Sequence, residues 1–229
     1  MDVTVARIQY PVTVLGPGRR VGVWFQGCTI GCAGCMSQDT WDPVGGERLT
    51  VGDLCDLVLA ARADKALDGV TISGGEPFQQ PGALLALCSE LRLRWPDTDV
   101  LVYSGYPFRR LEERHADVLT LVDAVIAEPF VAGRPTERPW RGSANQTLHV
   151  LSPSVERRYA EAELASAGDP GAAGALGAAG APVARLQVTV DEQAVWVTGI
   201  PRRGDLDRMR AALLDRGLLL DDVSWRARG

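Results

Sequence analysis

The sequence predicts an α/β domain built from parallel βαβ units. Three observations carry this. Short runs rich in β-branched residues alternate with longer stretches whose apolar residues recur every three or four positions. The runs Arg20–Phe25, Gly69–Ile72 and Asp99–Tyr103 each empty into a segment of glycines and polar residues, which is where α/β sheets place their chemistry. The 229 residues, 46% hydrophobic and 23% charged, suffice for one sizeable core.

In chain order, Val3–Ile8 and Pro11–Leu15 read as β runs closed by Gly16-Pro17-Gly18. Arg20–Phe25 is a strand delivering the chain into Cys28. Thr50 with Asp53 three positions on resembles a capping box, and Val51, Leu54, Cys55 and Val58 follow at helical spacing. The strand Gly69–Ile72 ends in Ser73-Gly74-Gly75-Glu76-Pro77. Pro81 opens a helix with Leu84, Leu87, Cys88 and Leu91 on one face, and Pro96 stops it. The strand Asp99–Tyr103 runs into Ser104-Gly105-Tyr106, a short helix follows from Pro107 to His115, and Ala124–Ala127 is the next strand.

Beyond Glu128 the pattern changes. Residues 133–142 form a Pro- and Arg-rich loop, and Thr147–Leu151 reads as a strand. Residues 160–182 are nearly an Ala/Gly tract, read as a linker whose alanine-rich start is also compatible with a helix. Leu186–Val190 and Ala194–Thr198 then read as a hairpin around Asp191-Glu192-Gln193. A helix from Asp205 to Gly217 carries Leu206, Met209 and Leu213 on one face. The division expected is a first domain over 1–155, a linker over 156–185 and a small α+β appendage over 186–229.

A formal net charge of −5 supplies no basic field for phosphate backbones, so nucleic acid is not an expected partner. No apolar run approaches the roughly 18 residues of a membrane span, and Met1–Arg7 lacks the pattern of a signal peptide, so a cytoplasmic protein is expected. Five cysteines, three of them within eight residues, favour metal chemistry in a reducing compartment over a disulfide framework.

Those three, in Cys28-Thr29-Ile30-Gly31-Cys32-Ala33-Gly34-Cys35, are soft ligands suited to iron–sulfur clusters or zinc. A structural zinc site wants four ligands, commonly as two Cys-x-x-Cys pairs, and the chain has no second pair. A cubane cluster held by three thiolates keeps one iron open. Cys55 and Cys88 fall on apolar helix faces, where cysteine acts as a small hydrophobe.

The spacing Cys28-x3-Cys32-x2-Cys35 resembles the cluster motif of the radical S-adenosylmethionine superfamily. The resemblance implies a [4Fe–4S] cluster on Cys28, Cys32 and Cys35, with S-adenosylmethionine bound at the fourth iron. It also implies reductive cleavage to methionine and a 5′-deoxyadenosyl radical that abstracts hydrogen. Ser73-Gly74-Gly75-Glu76-Pro77 resembles the family's Gly-Gly-Glu motif, which receives the amino group of S-adenosylmethionine through backbone and carboxylate. Tyr103-Ser104-Gly105-Tyr106 is similar to the Tyr-Thr-Gly-Tyr element of glycyl-radical-enzyme activases. The site residues it implies for S-adenosylmethionine are therefore Gly74, Gly75, Glu76, Ser104 and Tyr106.

The stretch from Cys35 to Gly46 resembles pyruvate formate-lyase activating enzymes, and Arg141-Gly142-Ser143-Ala144-Asn145-Gln146 resembles a signature of anaerobic ribonucleotide reductase activating proteins. Asn145 and Gln146 are accordingly expected at the cofactor or at a substrate backbone, with Asn145 assigned to the cofactor. Gly34 stands where the superfamily often has an aromatic residue, so adenine stacking is assigned to Met36. The fold implied is a partial (β/α) barrel whose open side admits a substrate loop. The expected partners are a glycyl radical enzyme, as protein or peptide substrate, and an electron donor such as flavodoxin or ferredoxin. Two other functions stand beside this one: a radical maturase of a peptide or small molecule, which uses the same residues, and a non-enzymatic iron–sulfur carrier or redox sensor, which needs the three cysteines but no S-adenosylmethionine site.

Overall fold

The computed structural model describes residues 1–64, 66–167, 175–177, 181–183, 185–190, 195–202 and 204–219. Its centre is a seven-stranded sheet formed by β1 (Asp2–Val12), β2 (Arg20–Phe25), β3 (Glu47–Thr50), β4 (Gly69–Gly74), β5 (Asp99–Tyr103), β6 (Ala124–Ala127) and β7 (Thr147–Val150), in the order β3-β1-β2-β4-β5-β6-β7. The inner strands β2, β4, β5 and β6 are parallel, whereas β1, β3 and β7 pair antiparallel. All four parallel strands therefore release the chain at one edge of the sheet. Every residue of β2 is buried, as a parallel strand covered on both faces requires.

One face is covered by α1 (Val51–Asp64), α2 (Pro81–Arg94), α3 (Phe108–Arg114) and α4 (Ala116–Leu119). The apolar stripes read from spacing are the buried ones: Leu54, Cys55 and Val58 in α1, and Leu84, Leu87, Cys88 and Leu91 in α2, are all 0% exposed. Each such leucine contributes about 1.5–3 kcal/mol relative to an exposed one. Thr50 caps α1, its Oγ1 accepting the Asp53 N–H at 3.1 Å. The opposite face packs against α5 (Pro153–Ala167) and Trp140, with Leu101, Ile126, Val155 and Tyr159 in one cluster.

Arg20 begins β2 fully buried. Its Nε donates to Thr71 Oγ1 at 2.6 Å, and its other nitrogens reach Asp99 Oδ2 (3.0 Å) and the carbonyls of Pro17, Val70 and Asp99. Tyr159 Oη donates to Asp99 Oδ1 at 2.9 Å, fixing α5 to the entry end of the sheet.

Several boundaries differ from the sequence reading. The two runs Val3–Ile8 and Pro11–Leu15 form the single strand β1 up to Val12, with Pro11 at the register irregularity between Gln9 and Val12, where its missing N–H is tolerated. The edge strand β3 escaped notice because Glu-Arg-Leu-Thr is half charged. The helix expected up to His115 ends at Arg114 and is followed by the extra turn α4. α5 crosses the division placed at residue 155, so the start of the Ala/Gly tract is helical, the option its alanines left open.

Further on, β8 (Ala175–Gly177) pairs with β9 (Ala181–Val183), and the remainder of that tract lies outside the described residues. The expected hairpin is β10 (Leu186–Val190) with β11 (Val195–Gly199); its turn at Asp191-Glu192-Gln193 lies outside the described residues. The last helix is α6 (Asp205–Leu214). Gln187 ties the hairpin to β1 and its exit, donating to Pro11 O (2.7 Å) and accepting from Thr13 N (3.0 Å). Arg185 and Arg202 both pair with Glu137.

Candidate functional site

The exits of β2, β4 and β5 converge into one polar cluster. β4 runs beside β2 with Trp24 opposite Ser73 and Phe25 opposite Gly74, so the turn after β4 lies against the base of the cysteine loop. Gly75 N–H donates to Phe25 O at 2.8 Å and Glu76 N–H to Gly27 O at 2.9 Å. Glycine is required at both positions. Gly74 has φ +106°, and a Cβ on Gly75 would lie 2.2 Å from Gly27 O. These glycines permit the close approach of the β4 exit to the cysteine strand.

Glu76 is the centre of the cluster and is 1% exposed. Its Oε1 accepts from Phe78 N–H and Ser104 Oγ, both at 3.0 Å, and its Oε2 accepts from Gly105 N–H at 2.7 Å. These donors favour the ionised form. Burial opposes them and is the larger effect, raising the carboxyl from 4.5 to about 7. Ser104 Oγ in turn accepts Tyr106 N–H at 3.0 Å, so the motifs expected to bind the cofactor form one hydrogen-bonded unit.

Outside this unit, Gln79 donates from Nε2 to Thr29 Oγ1 (2.8 Å) and Tyr106 Oη (3.0 Å), and its Oε1 accepts Thr29 N–H at 3.2 Å. A Cβ on Gly105 would stand 2.6 Å from Ile30 Cδ1, so the third strand exit also touches the cysteine loop.

Cys28, Cys32 and Cys35 are free thiols of intermediate exposure. The loop turns through Gly31 (φ +67°) and Gly34 (φ +78°). It is held at its base by Gly27 N–H to Thr40 O and Cys28 N–H to Trp41 O, and by Gln26 Nε2 to Asp42 O at 2.6 Å. Burial raises the Cys28 and Cys35 thiols; Glu76 and Cys32 raise Cys28 further, and Cys32 and Cys28 raise Cys35, while N–H groups of Ile30 and Gly31 on Cys28, and of Ser37 and Trp41 on Cys35, act the other way.

Among the described residues, no three ligating side chains converge as a single metal ion would require. A cubane cluster asks each thiolate for a different iron, so three mutually interacting thiols turned around left-handed glycines, with N–H groups aimed at sulfur, fit that donor set. The two remaining cysteines behave otherwise: burial carries Cys88 up to about 12, and both Cys55 and Cys88 lie in the core.

Met36 is half-buried and follows Cys35 directly. Asn145 lies one loop away. Its Nδ2 donates to Pro129 O at 2.8 Å, and its Oδ1 is buried without a hydrogen-bond partner among the described residues. Gln146 holds this loop by accepting Gly142 N–H and Ser143 N–H and donating to Glu128 O.

Sequence reasoning did not single out Gln26 or Gln79. Both glutamines flank recognised motifs, and an amide that supplies donor and acceptor together is a signal worth reading there. The Phe130 ring, in the loop after β6, lies 3.6 Å from where a Gly34 Cβ would stand and 2.8 Å from where a Gly142 Cβ would stand. An aromatic ring from a distant segment thus sits beside the cysteine-loop position that lacks one.

The family described as 4Fe-4S single cluster domain matches residues 14–149, the segment that carries the whole cluster. The chain is 32% identical over 146 residues to the anaerobic ribonucleoside-triphosphate reductase-activating protein of Vibrio cholerae, covering 61% of this chain and 94% of the relative. It is 33% identical over 138 residues to the protein of the same name from Enterobacteria phage T4, covering 59% and 86%. It is also 37% identical over 113 residues to the pyruvate formate-lyase-activating enzyme of Clostridium pasteurianum, covering 46% of each chain.

Proposed function

The chain belongs to the 4Fe-4S single cluster domain family, in the radical S-adenosylmethionine superfamily, and from that membership we propose that it activates a glycyl radical enzyme of the anaerobic ribonucleotide reductase type. The observation that carries the reading is the junction of three thiols, the Gly74-Gly75-Glu76 turn and the Ser104–Tyr106 turn at one sheet edge. Cys28, Cys32 and Cys35 would hold the [4Fe–4S] cluster, which when bound would supply the electron for reductive cleavage of S-adenosylmethionine to methionine and a 5′-deoxyadenosyl radical.

The remaining work is done by the chain. The main chain of Gly74, Gly75 and Glu76 receives the amino acid part of S-adenosylmethionine, since the Glu76 carboxylate is committed to Phe78, Ser104 and Gly105. Ser104 and Tyr106 contact its nucleoside part. Asn145 offers its unpartnered Oδ1 as an acceptor, Met36 stacks on the adenine, and the Phe130 ring beside Gly34 is an apolar wall that excludes water.

The parallel run β2-β4-β5-β6 with its helices is read as a partial (β/α) barrel, whose open side admits the glycine-bearing loop of the partner. Residues 1–155 form this unit with α5 packed on it, residues 156–185 connect it onward, and 186–229 form the appendage. The reduced electron donor is a flavodoxin or ferredoxin, and the setting is cytoplasmic. The test is electron paramagnetic resonance of the partner reductase after anaerobic incubation with this protein, S-adenosylmethionine and a reductant. A glycyl radical signal that depends on this protein supports the assignment. A wild-type protein that cleaves S-adenosylmethionine but leaves the reductase silent transfers the assignment to a peptide or small-molecule target.

A further inference from the structure

Gln79 lies outside every motif described above, yet it touches both the cysteine loop and the third strand exit. Its amide has one orientation. Thr29 N–H can only donate, and it points at one amide atom at 3.2 Å, so that atom is the oxygen. The nitrogen therefore faces Thr29 Oγ1 at 2.8 Å and Tyr106 Oη at 3.0 Å and spends both of its protons there. Each hydroxyl accepts from Gln79, and each must send its own proton elsewhere. Exchanging the amide atoms would set the –NH2 group against the Thr29 N–H, donor against donor.

We infer that Gln79 is a positioning residue that turns the hydroxyls of Thr29 and Tyr106 into a pair of hydrogen-bond donors aimed at an acceptor group of bound S-adenosylmethionine. The inference rests on the cofactor reading above. Arg110, with its guanidinium 3.8 Å from the centre of the Tyr106 ring, holds the ring in place, and Gln79 sets the direction of its hydroxyl. The pair suits oxygen or ring-nitrogen acceptors and disfavours an ammonium group.

The substitution Gln79→Glu separates this role from a simple tie between loops. A carboxylate accepts from Thr29 N–H, Thr29 Oγ1 and Tyr106 Oη alike, so every contact is kept while both hydroxyl protons are drawn inward. The probe is S-adenosylmethionine itself, and the readouts are its dissociation constant by equilibrium dialysis and its effect on the resonance of the reduced cluster. The proteins are reconstituted full-length wild type, Gln79→Glu, Tyr106→Phe and the double variant, with iron content and thermal unfolding measured on each.

The expected result is about tenfold weaker binding in Tyr106→Phe, roughly one neutral hydrogen bond, about a hundredfold weaker binding in Gln79→Glu, which turns both hydroxyls inward, and no loss in the double variant beyond that of Gln79→Glu. Wild-type affinity in Gln79→Glu overturns the inference, because a tie alone survives that change. Additive losses in the double variant also overturn it, because the new charge would then act independently of Tyr106. Failure of the wild type to bind S-adenosylmethionine instead overturns the cofactor reading itself.

Discussion

The Glu76 carboxylate accepts the Gly105 backbone N–H at 2.7 Å, joining the exits of β4 and β5 through a side chain that is 1% exposed. Glu76→Ala removes the acceptor for Gly105 N–H, Phe78 N–H and Ser104 Oγ at once. With buried donors left unpaired at about 1–3 kcal/mol each, the variant should lose stability and bind S-adenosylmethionine at least tenfold more weakly. Chemical denaturation and equilibrium binding, each under argon, measure the two losses.

Stability should also carry the titration of Glu76. Its carboxyl is raised from 4.5 to about 7 by burial, so between those values the folded protein holds a proton that the unfolded chain has released. Stability from this group is full below the unfolded value and is lost as pH rises through the folded one, about 3 kcal/mol in all. Urea unfolding at about pH 5 and about pH 8 should show a larger fall for the wild type than for Glu76→Gln, which has no such proton to lose.

The five cysteines should divide sharply. Alanine at Cys28, Cys32 or Cys35 should leave a folded protein that no longer retains a full complement of iron and sulfide after reconstitution. Alanine at Cys55 or Cys88, both 0% exposed, should retain the cluster and cost about 1–2 kcal/mol of stability through the cavity left behind. Iron and sulfide analysis beside thermal unfolding distinguishes the two classes.

Two glycines of the site should respond differently to alanine. In Gly31→Ala the new Cβ meets nothing within 4 Å, so the cost is the left-handed backbone alone, about 1–2 kcal/mol. In Gly75→Ala it would lie 2.2 Å from Gly27 O, which forces the β4 exit away from the cysteine loop. Gly31→Ala should reconstitute like the wild type, and Gly75→Ala should lose S-adenosylmethionine binding.

At the opposite end of the sheet, Asp99→Ala strands the fully buried Arg20 without its counter-charge, at a cost of about 3–5 kcal/mol. Tyr159→Phe removes one hydrogen bond to Asp99, about 1 kcal/mol. Denaturant titrations should rank the variants in that order, with cluster spectra unchanged wherever the protein remains folded.

What the sequence made legible is what is local. Cys28 to Cys35, Gly74 to Glu76 and Ser104 to Tyr106 each carry their chemistry within a few residues, and the strand before each motif is a compact apolar run. The stripes of α1 and α2 were readable because period 3.6 is also local. The contacts that turn motifs into a site are not local. Glu76 to Gly105, Gln79 to Tyr106 and Phe130 to Gly34 join residues 29, 27 and 96 positions apart, and no feature near either partner announces the other. Arg20 makes the same point for the fold: a strand-leading arginine reads as a surface residue until Thr71 and Asp99 enclose it.

The central claim is that the three-thiol loop holds a cluster that cleaves S-adenosylmethionine, and anaerobic reconstitution with iron and sulfide followed by product analysis tests it most directly. With a strong reductant, the wild type should convert S-adenosylmethionine to methionine and 5′-deoxyadenosine, and Cys32→Ala should not. A reconstituted wild type with the visible absorption of an iron–sulfur cluster but no 5′-deoxyadenosine would contradict the account and leave an iron–sulfur carrier or redox sensor in its place.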